Sequence, residues 1–390
     1  MPRFIDIAFY AHKEYETPEP LMAWHKVVTE YAQHFKYKFD LSFVRHAAFE
    51  GEKLQDGIEW QFFKSINKGW YVPLKTLKFV KHQKPDIILV QGLGFPLQTL
   101  ALKLVLPKHA KIIVQHHGES PFKGVKLWLQ KLAAKCVDTY FFTSADNAKK
   151  WREVNVITRQ PVYEVLEAST FFKAQDKQQS RSHLGIESTA TVFLWVGRLN
   201  ENKDPLTVLK AFSAYVKDHS DAQLYMIYST EELLGKISDF LDVDVALKKH
   251  VHLIGSVKHT DLPTWYSAAD YYLSASHREG SGYALLEAMA CGCVPILTAI
   301  PSFKSITADG KYGYLYPPGD ANALAEILLK LGGDNTIRSE DVIRFFNDHL
   351  SFKKIAEDIE QAITKISKQS VALSSHQSLA VPADEPVGHL

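Results

Sequence analysis

Four short runs constrain this chain more than anything else in it: Asp86–Gln91 (DIILVQ), Lys111–Gln115 (KIIVQ), Thr191–Val196 (TVFLWV) and Val294–Leu297 (VPIL). Each is almost continuously apolar, too short for a buried helix, and set between polar segments of helical length. A strand with one wet face alternates apolar and polar residues. A strand that does not alternate is buried on both faces, and that happens where helices cover a parallel sheet from both sides. The rest of the chain keeps the same rhythm. Phe4–Tyr10, Leu41–Arg45 and Asp138–Thr143 read as strands, with helical spacing at Glu19–Phe35, Phe95–Val105 and Lys123–Ala134. The expectation is an α/β protein of βαβ units.

The rhythm stops and restarts. Gln175–Ser182 (QDKQQSRS) is polar and linker-like. Beyond it come strands at Thr191–Val196, Ala222–Tyr228, His250–Ile254, Tyr271–Ser274 and Val294–Leu297, with helices between. The predicted organisation is an N-terminal domain over 1–170 and a C-terminal domain over 171–350. A last helix over 351–366 crosses back to the first domain, and a Ser-rich tail over 367–390 is disordered. At 390 residues two such domains fit.

Charge separates the halves. The whole chain is nearly neutral at +1, which argues against a grossly basic nucleic-acid binder. Residues 1–170, however, hold 24 Lys and Arg against 17 Asp and Glu, and the remainder 21 against 27. A basic half beside a mildly acidic half implies different partners. Trp60–Lys84 has six lysines, no acid and several aromatics. With Lys123, Lys126, Lys131 and Lys135 it is a candidate face for an anionic membrane surface. Three cysteines, Cys136, Cys291 and Cys293, make no disulfide framework and fit a reducing compartment. The opening residues lack the apolar core of a signal peptide, and no stretch approaches ~18 apolar residues. The expected location is cytoplasmic, with peripheral attachment to the inner face of a membrane as an extension.

Chemistry concentrates in two places. The strand ending in Ser276 runs into Glu279-Gly280-Ser281-Gly282-Tyr283-Ala284, which opens a helix carrying Glu287 and ending at Gly292. Free backbone N–H groups and the positive end of the helix dipole suit a phosphate there. Five helical residues rise about 7.5 Å, so Glu279 and Glu287 cannot share a proton but can bracket a diphosphate. The second place is the end of TVFLWV, where Gly197 and Arg198 are followed by Lys203. Ligands of open α/β sheets bind at the carboxyl ends of strands, and an Arg and a Lys there can neutralise a diphosphate. His117, after KIIVQ, faces the same cleft, with His116 as its rival. Asp242-Val-Asp244 looks like a metal-binding DxD, but its polar helical setting argues against that role. No dinucleotide fingerprint, P-loop or nucleophile elbow occurs.

The ordered set LWVGRL (194–199), NKDPLTVLKAF (202–212), VHLIGSV (251–257), DLPTWYSAADYYLSAS (261–276), EGSGYALLEAMACGCVPIL (279–297) and GKYGYLYPPGDANALAEIL (310–328) resembles the retaining family 4 glycosyltransferases, the glycosyl transferases of group 1. The spacing of Glu279 and Glu287 matches that family's E-x7-E pattern. The N-terminal half resembles it through KPDIILVQG (84–92), KIIVQHHG (111–118) and VDTYFFTSADNAKKW (137–151). It departs at Tyr10–Pro18, which has no glycine where the family has a Gly-rich turn, at Leu166–Thr170, at Ile227–Thr230, and at Ala299–Lys304.

The resemblance implies a GT-B fold, two Rossmann-like doubly wound parallel-sheet domains facing a cleft. It implies an anomer-retaining, metal-independent transferase moving a sugar from a nucleoside-diphosphate sugar to a hydroxyl acceptor, with no other cofactor. The acceptor would be a sugar or a lipid-linked glycan held by the N-terminal domain. Glu279, Arg198, Lys203 and His117 would act in transfer. Gly197, Glu287, Gly280, Ser281, Gly282, Tyr283, Ala284, Ser256 and Val257 would bind the donor, Glu287 through the ribose. Two rivals stay open, a non-catalytic sugar-nucleotide-binding module and an epimerase or phosphorylase on the same double fold. Base, sugar, acceptor and linkage are not named by the residues.

Overall fold

A computed structural model describes residues 1–65, 71–331 and 337–378, with side chains described to residue 368. Its first sheet has eight strands: β1 (Arg3–His12), β2 (Asp40–Ala47), β3 (Gly51–Gln55), β4 (Ile58–Lys64), β5 (Ile87–Gln91), β6 (Lys111–Gln115), β7 (Thr139–Phe142) and β8 (Val162–Glu164). Their spatial order is β3-β4-β2-β1-β5-β6-β7-β8. The second sheet has β9 (Thr191–Gly197), β10 (Ala222–Tyr228), β11 (Val251–Gly255), β12 (Tyr271–Ser274), β13 (Val294–Thr298) and β14 (Tyr314–Tyr316), in the order β11-β10-β9-β12-β13-β14.

Both sheets have helices on both faces because their strands point apolar side chains both ways. Along β9, Val192 and Leu194 enter one core and Phe193 and Trp195 the other. Along β1, Phe4 lies in one core and Ile5 and Ile7 in the other. The strand order reverses at one point in each sheet. β1 pairs with β2 on one side and β5 on the other, and β9 sits between β10 and β12. Such switch points open a crevice at the carboxyl ends of the strands.

Three differences from the sequence reading have physical causes. The strand pairs are parallel except β3 with β4, an antiparallel hairpin turned at Asp56-Gly57, both with positive φ. An Asp-Gly turn is the signal for such a hairpin. The hairpin takes Trp60 and Phe62 into the core, 5% and 0% exposed, so neither can anchor at a membrane interface. Phe63 and Tyr71 are half-buried, while Lys68 and Trp70 lie outside the described residues. The last helix is longer than predicted, running Phe352–Ser378, so 367–378 continue it and 379–390 lie outside the described residues. The two tail prolines, Pro382 and Pro386, come after Ser378, and nothing in 367–378 breaks a helix already nucleated by packing.

That helix lays Phe352, Ile355, Ala356, Ile359, Ala362, Ile363 and Ile366 into the same core as Phe4, Tyr31 and Phe35. Lys38 pairs with Glu360 at 2.7 Å at its edge. Asp242 pairs with Lys248, and Asp244 caps the helix Val245–Lys248 through the Leu247 N–H while accepting from Ser213, so both acids have local structural partners.

Candidate active site

The switch point of the second sheet brings the two chemical segments together. The loop after β9 carries Arg198 and Lys203, and the loop after β12 carries Glu279 and Gly280. Lys203 Nζ pairs with Glu279 Oε1. The loops are laced by the His277 N–H donating to the Asn202 carbonyl at 2.8 Å and Asn202 Nδ2 donating to the Arg278 carbonyl at 3.0 Å. Ser302 Oγ donates to the Glu279 carbonyl from the far side. Arg198 is exposed, and its side chain has neither hydrogen bond nor ion pair among the described residues. Next to them the helix Tyr283–Ala290 begins at Gly282, leaving first-turn N–H groups without intrahelical acceptors. Ser281 is buried. Tyr283 is 41% exposed, and desolvation pushes its pKa up to about 12 against a hydrogen bond with Ser281.

Glu287 lies one turn deeper, 8% exposed, and is already engaged. Tyr266 donates its buried hydroxyl to Oε2 at 3.1 Å, and His259 Nε2 lies 2.8 Å from Oε1. The carboxylate raises the His259 pKa, outweighing the opposing effect of burial. His259 belongs to the segment after β11, so the loop bearing exposed Ser256 and half-buried Val257 is tied to Glu287.

The first domain meets this region through the ends of β1, β5 and β6. β1 loses register between Ile7 and Ala11, an irregularity that re-aims Tyr10. The Tyr10 hydroxyl donates to Glu119 Oε1 at 2.9 Å, and its ring packs on Phe95 and near His117. This aromatic and acidic patch occupies the place where the resembling family has its first glycine-rich turn. His116 is 2% exposed, stacks on Phe142 and lies 3.0 Å from the Glu119 carbonyl, a structural setting.

His117 lines the cleft, but both of its ring nitrogens are engaged. Asp6 and Arg45, each 1% exposed, pair at 2.9 Å, and Asp6 Oδ2 also accepts from Tyr31 and from Gln91 Nε2. That fixes the Gln91 amide, whose Oε1 faces His117 Nε2 at 2.7 Å, so Nε2 carries the proton. Nδ1 contacts Glu167 Oε2. Burial pulls the His117 imidazole down to about 4, with Glu119 opposing. Glu167 comes from the stretch between the domains and reaches the second one. A Cβ placed on Gly280 would lie 3.1 Å from Glu167 Oε1 and 3.2 Å from the His117 carbonyl. Gly118 and Gly280 thus let the two backbones approach.

A cleft of about 380 Å³ opens beside this contact, with His117, Lys150 and Asn147 on one wall and Arg278, Glu279 and Gly280 on the other. Glu167, Gln91, Lys150 and His259 were not singled out from sequence. A lone acid in Val165–Thr170 is a visible oddity, but its partner lies 50 residues upstream. Among the described residues no helix is long and apolar enough to cross a membrane.

Comparisons with known proteins agree with this geometry. Residues 176–344 match the family described as Glycosyl transferases group 1. A D-inositol 3-phosphate glycosyltransferase from Catenulispora acidiphila is 28% identical over 170 residues, 40% of this chain and 39% of the relative. A GDP-mannose-dependent monoacylated phosphatidylinositol monomannoside mannosyltransferase from Corynebacterium glutamicum is 25% identical over 262 residues, 62% of this chain and 66% of the relative. The chain thus spans less than two thirds of the length of these relatives. Anabaena HepE, solved with UDP, superimposes with a TM-score of 0.65 at 14% identity, covering 93% of this chain and all of that one. The two facing α/β domains are the GT-B architecture.

Proposed function

Because residues 176–344 belong to the glycosyl transferases of group 1, on a GT-B frame, we propose that the protein transfers a sugar from a nucleoside-diphosphate sugar to a hydroxyl acceptor with retention of the anomeric configuration. The observation that carries the reading is the convergence, at one switch point, of Arg198, Lys203, Glu279 and the open N-terminus of the helix Tyr283–Ala290, with His117 across the cleft. HepE's complex with UDP makes a nucleoside diphosphate the first ligand to try.

The chemistry follows from charge. The bond from C1 to the phosphate oxygen breaks with its electron pair going to the diphosphate, and C1 becomes oxocarbenium-like. Arg198, Lys203 and the first-turn N–H groups stabilise the growing negative charge. The acceptor oxygen bonds to C1 on the face the leaving group quits, and its proton passes to a phosphate oxygen. No protein nucleophile is assigned. Glu279, held by Lys203, orients the donor sugar. Glu287 accepts from ribose hydroxyls in place of, or beside, His259. The test is a panel of UDP, GDP and ADP sugars with hydroxyl acceptors, in which product carries the anomeric configuration of the donor. An inverted product, or turnover of sugar phosphate without nucleotide, refutes the reading.

A membrane-facing surface on the acceptor domain would keep part of the basic segment read in sequence but not Trp60 and Phe62, which lie in the core. The neighbouring helices Leu74–Gln83, Pro96–Val105 and Gly124–Ala134 expose Leu74, Leu104, Val125 and Trp128 among lysines such as Lys78, Lys81, Lys103 and Lys123. Exposed apolar side chains on helices that also carry exposed lysines suit an anionic lipid surface. The lipid substrate in the Corynebacterium relative's name is in keeping with this.

A further inference from the structure

Beyond Glu279 the cleft carries two cations contributed by different domains. Lys150 stands on the helix Lys149–Glu153, and Arg278 on the loop after β12. Arg278 is exposed, and its side chain has no hydrogen bond or ion pair among the described residues. Lys150 is half-buried and, among the described residues, donates only to Ser120 Oγ, at 3.3 Å. Burial first, then the charge of Arg278, push the Lys150 pKa down, with Glu119 opposing.

The nearby acids are committed elsewhere. Glu279 is paired with Lys203. Glu119 accepts from the Tyr10 hydroxyl and from the N–H groups of Leu93 and His117. Asn147 lines the same cleft, and its buried Nδ2 has no hydrogen-bond partner. Two cations, neither in an ion pair among the described residues, and Asn147 therefore line a cavity of about 380 Å³. Arg198, Lys203 and residues 281–284, the set assigned to the donor diphosphate, do not line this cavity.

We propose that Lys150, Arg278 and Asn147 bind an anionic group on the acceptor, so that the acceptor is a hydroxyl compound bearing a phosphate or a carboxylate. The proposal rests on the transfer reading above and names the acceptor class for it. Cations supplied by both domains make the anion a bridge across the cleft, which places the acceptor hydroxyl next to the sugar held at Glu279.

The test starts from protein saturated with whichever of UDP, GDP or ADP binds tightest, so that the diphosphate site is filled. Inorganic phosphate, glucose 6-phosphate and glucose are then titrated calorimetrically into wild type, Lys150→Gln, Arg278→Gln and Arg278→Lys. The two phosphates should bind wild type and glucose should not. Each Gln variant should weaken phosphate binding about tenfold or more, Arg278→Lys should keep most of it, and nucleotide affinity should hold. Absence of phosphate binding to loaded wild type, undiminished binding in both Gln variants, or an equal loss of nucleotide affinity overturns the proposal. If none of the three nucleotides binds, the transfer reading fails, and titration of the unloaded protein decides the anion site by the same criteria. Phosphatidylglycerol in neutral detergent micelles is the final arm. Binding that depends on both cations there identifies a lipid headgroup as the source, and dependence only with the soluble phosphates identifies a soluble acceptor.

Discussion

Arg198 and Glu167 act at opposite ends of the same problem. Arg198 is exposed and unpaired among the described residues, so its charge is available to a leaving diphosphate and contributes little to folding. Arg198→Ala should lower turnover by about 10²–10³, the scale of one lost transition-state donor, with an unchanged melting temperature. Near-normal turnover would remove it from the mechanism. Glu167 instead works through His117. It contacts His117 Nδ1 and comes close to Gly280, so Glu167→Gln should lower kcat/KM while leaving nucleotide affinity intact, and an equal loss of nucleotide binding would remove it from the His117 side of the cleft. The two glutamates divide differently. Glu287→Ala should weaken binding of the bare nucleoside diphosphate. It should also lower stability by about 1–3 kcal/mol, because the buried Tyr266 hydroxyl loses its acceptor. Glu279→Ala should leave that binding largely intact and suppress transfer. Calorimetry on both variants decides, and equal losses would mean the roles are misassigned.

At the scale of elements, the loops after β9 and β12 are close because the strand order reverses between them, and the loop after β12 then abuts the first domain at Gly118. Gly280→Ala tests that contact. Its Cβ would press on the Glu167 carboxylate and the His117 carbonyl, so the domains would have to part by a few tenths of an ångström. Nucleotide binding, which uses the second domain, should survive, and transfer should fall. Loss of nucleotide binding to the same extent would mean the substitution distorts the donor loop itself. Elements also show where local reading ran short. Continuous apolar runs identified β5, β6, β9 and β13, because burial on both faces leaves a pattern that needs no partner to recognise. The strand Ile58–Lys64 was missed although Asp56-Gly57 announced a hairpin. Its lysine and aromatics looked like a surface, and only pairing with β2 shows that Trp60 and Phe62 face inward.

For the molecule as a whole, charge and histidine burial make separable predictions. The basic first domain and its exposed Leu74, Leu104, Val125 and Trp128 should bring the protein down with anionic vesicles at low salt. Binding should fade as the Debye length shrinks and drop when Lys78, Lys81 and Lys123 become Glu. A protein left in the supernatant would end the membrane reading. Acid should destabilise the first domain. Burial holds His46 at about 4, and its ring nitrogens bond to the Ala8 carbonyl and the Thr76 hydroxyl. Unfolded, the ring titrates near 6.5, so below that the unfolded chain binds more protons and stability falls as pH drops from about 6.5 through 4. The full effect is about 3 kcal/mol. Unfolding measured between pH 6.5 and 5, above most carboxylates, should show this slope, and His46→Gln should lessen it by one histidine's share, because burial also holds His117 and His25 below their ordinary value.

The sequence by itself determined the α/β class, the doubling, and the residues that gather at the second switch point. Each of these rests on a local property: two-faced burial of a strand, a glycine-rich helix start, a cation a few residues past a strand end. Tertiary structure alone decided who pairs with whom. That Lys203 neutralises Glu279, that His259 and Tyr266 hold Glu287, and that Glu167 reaches His117 and Gly280 are contacts between residues 21 to 113 positions apart. No local periodicity encodes them, because a buried charge is stabilised by whatever partner the packing of distant elements places beside it.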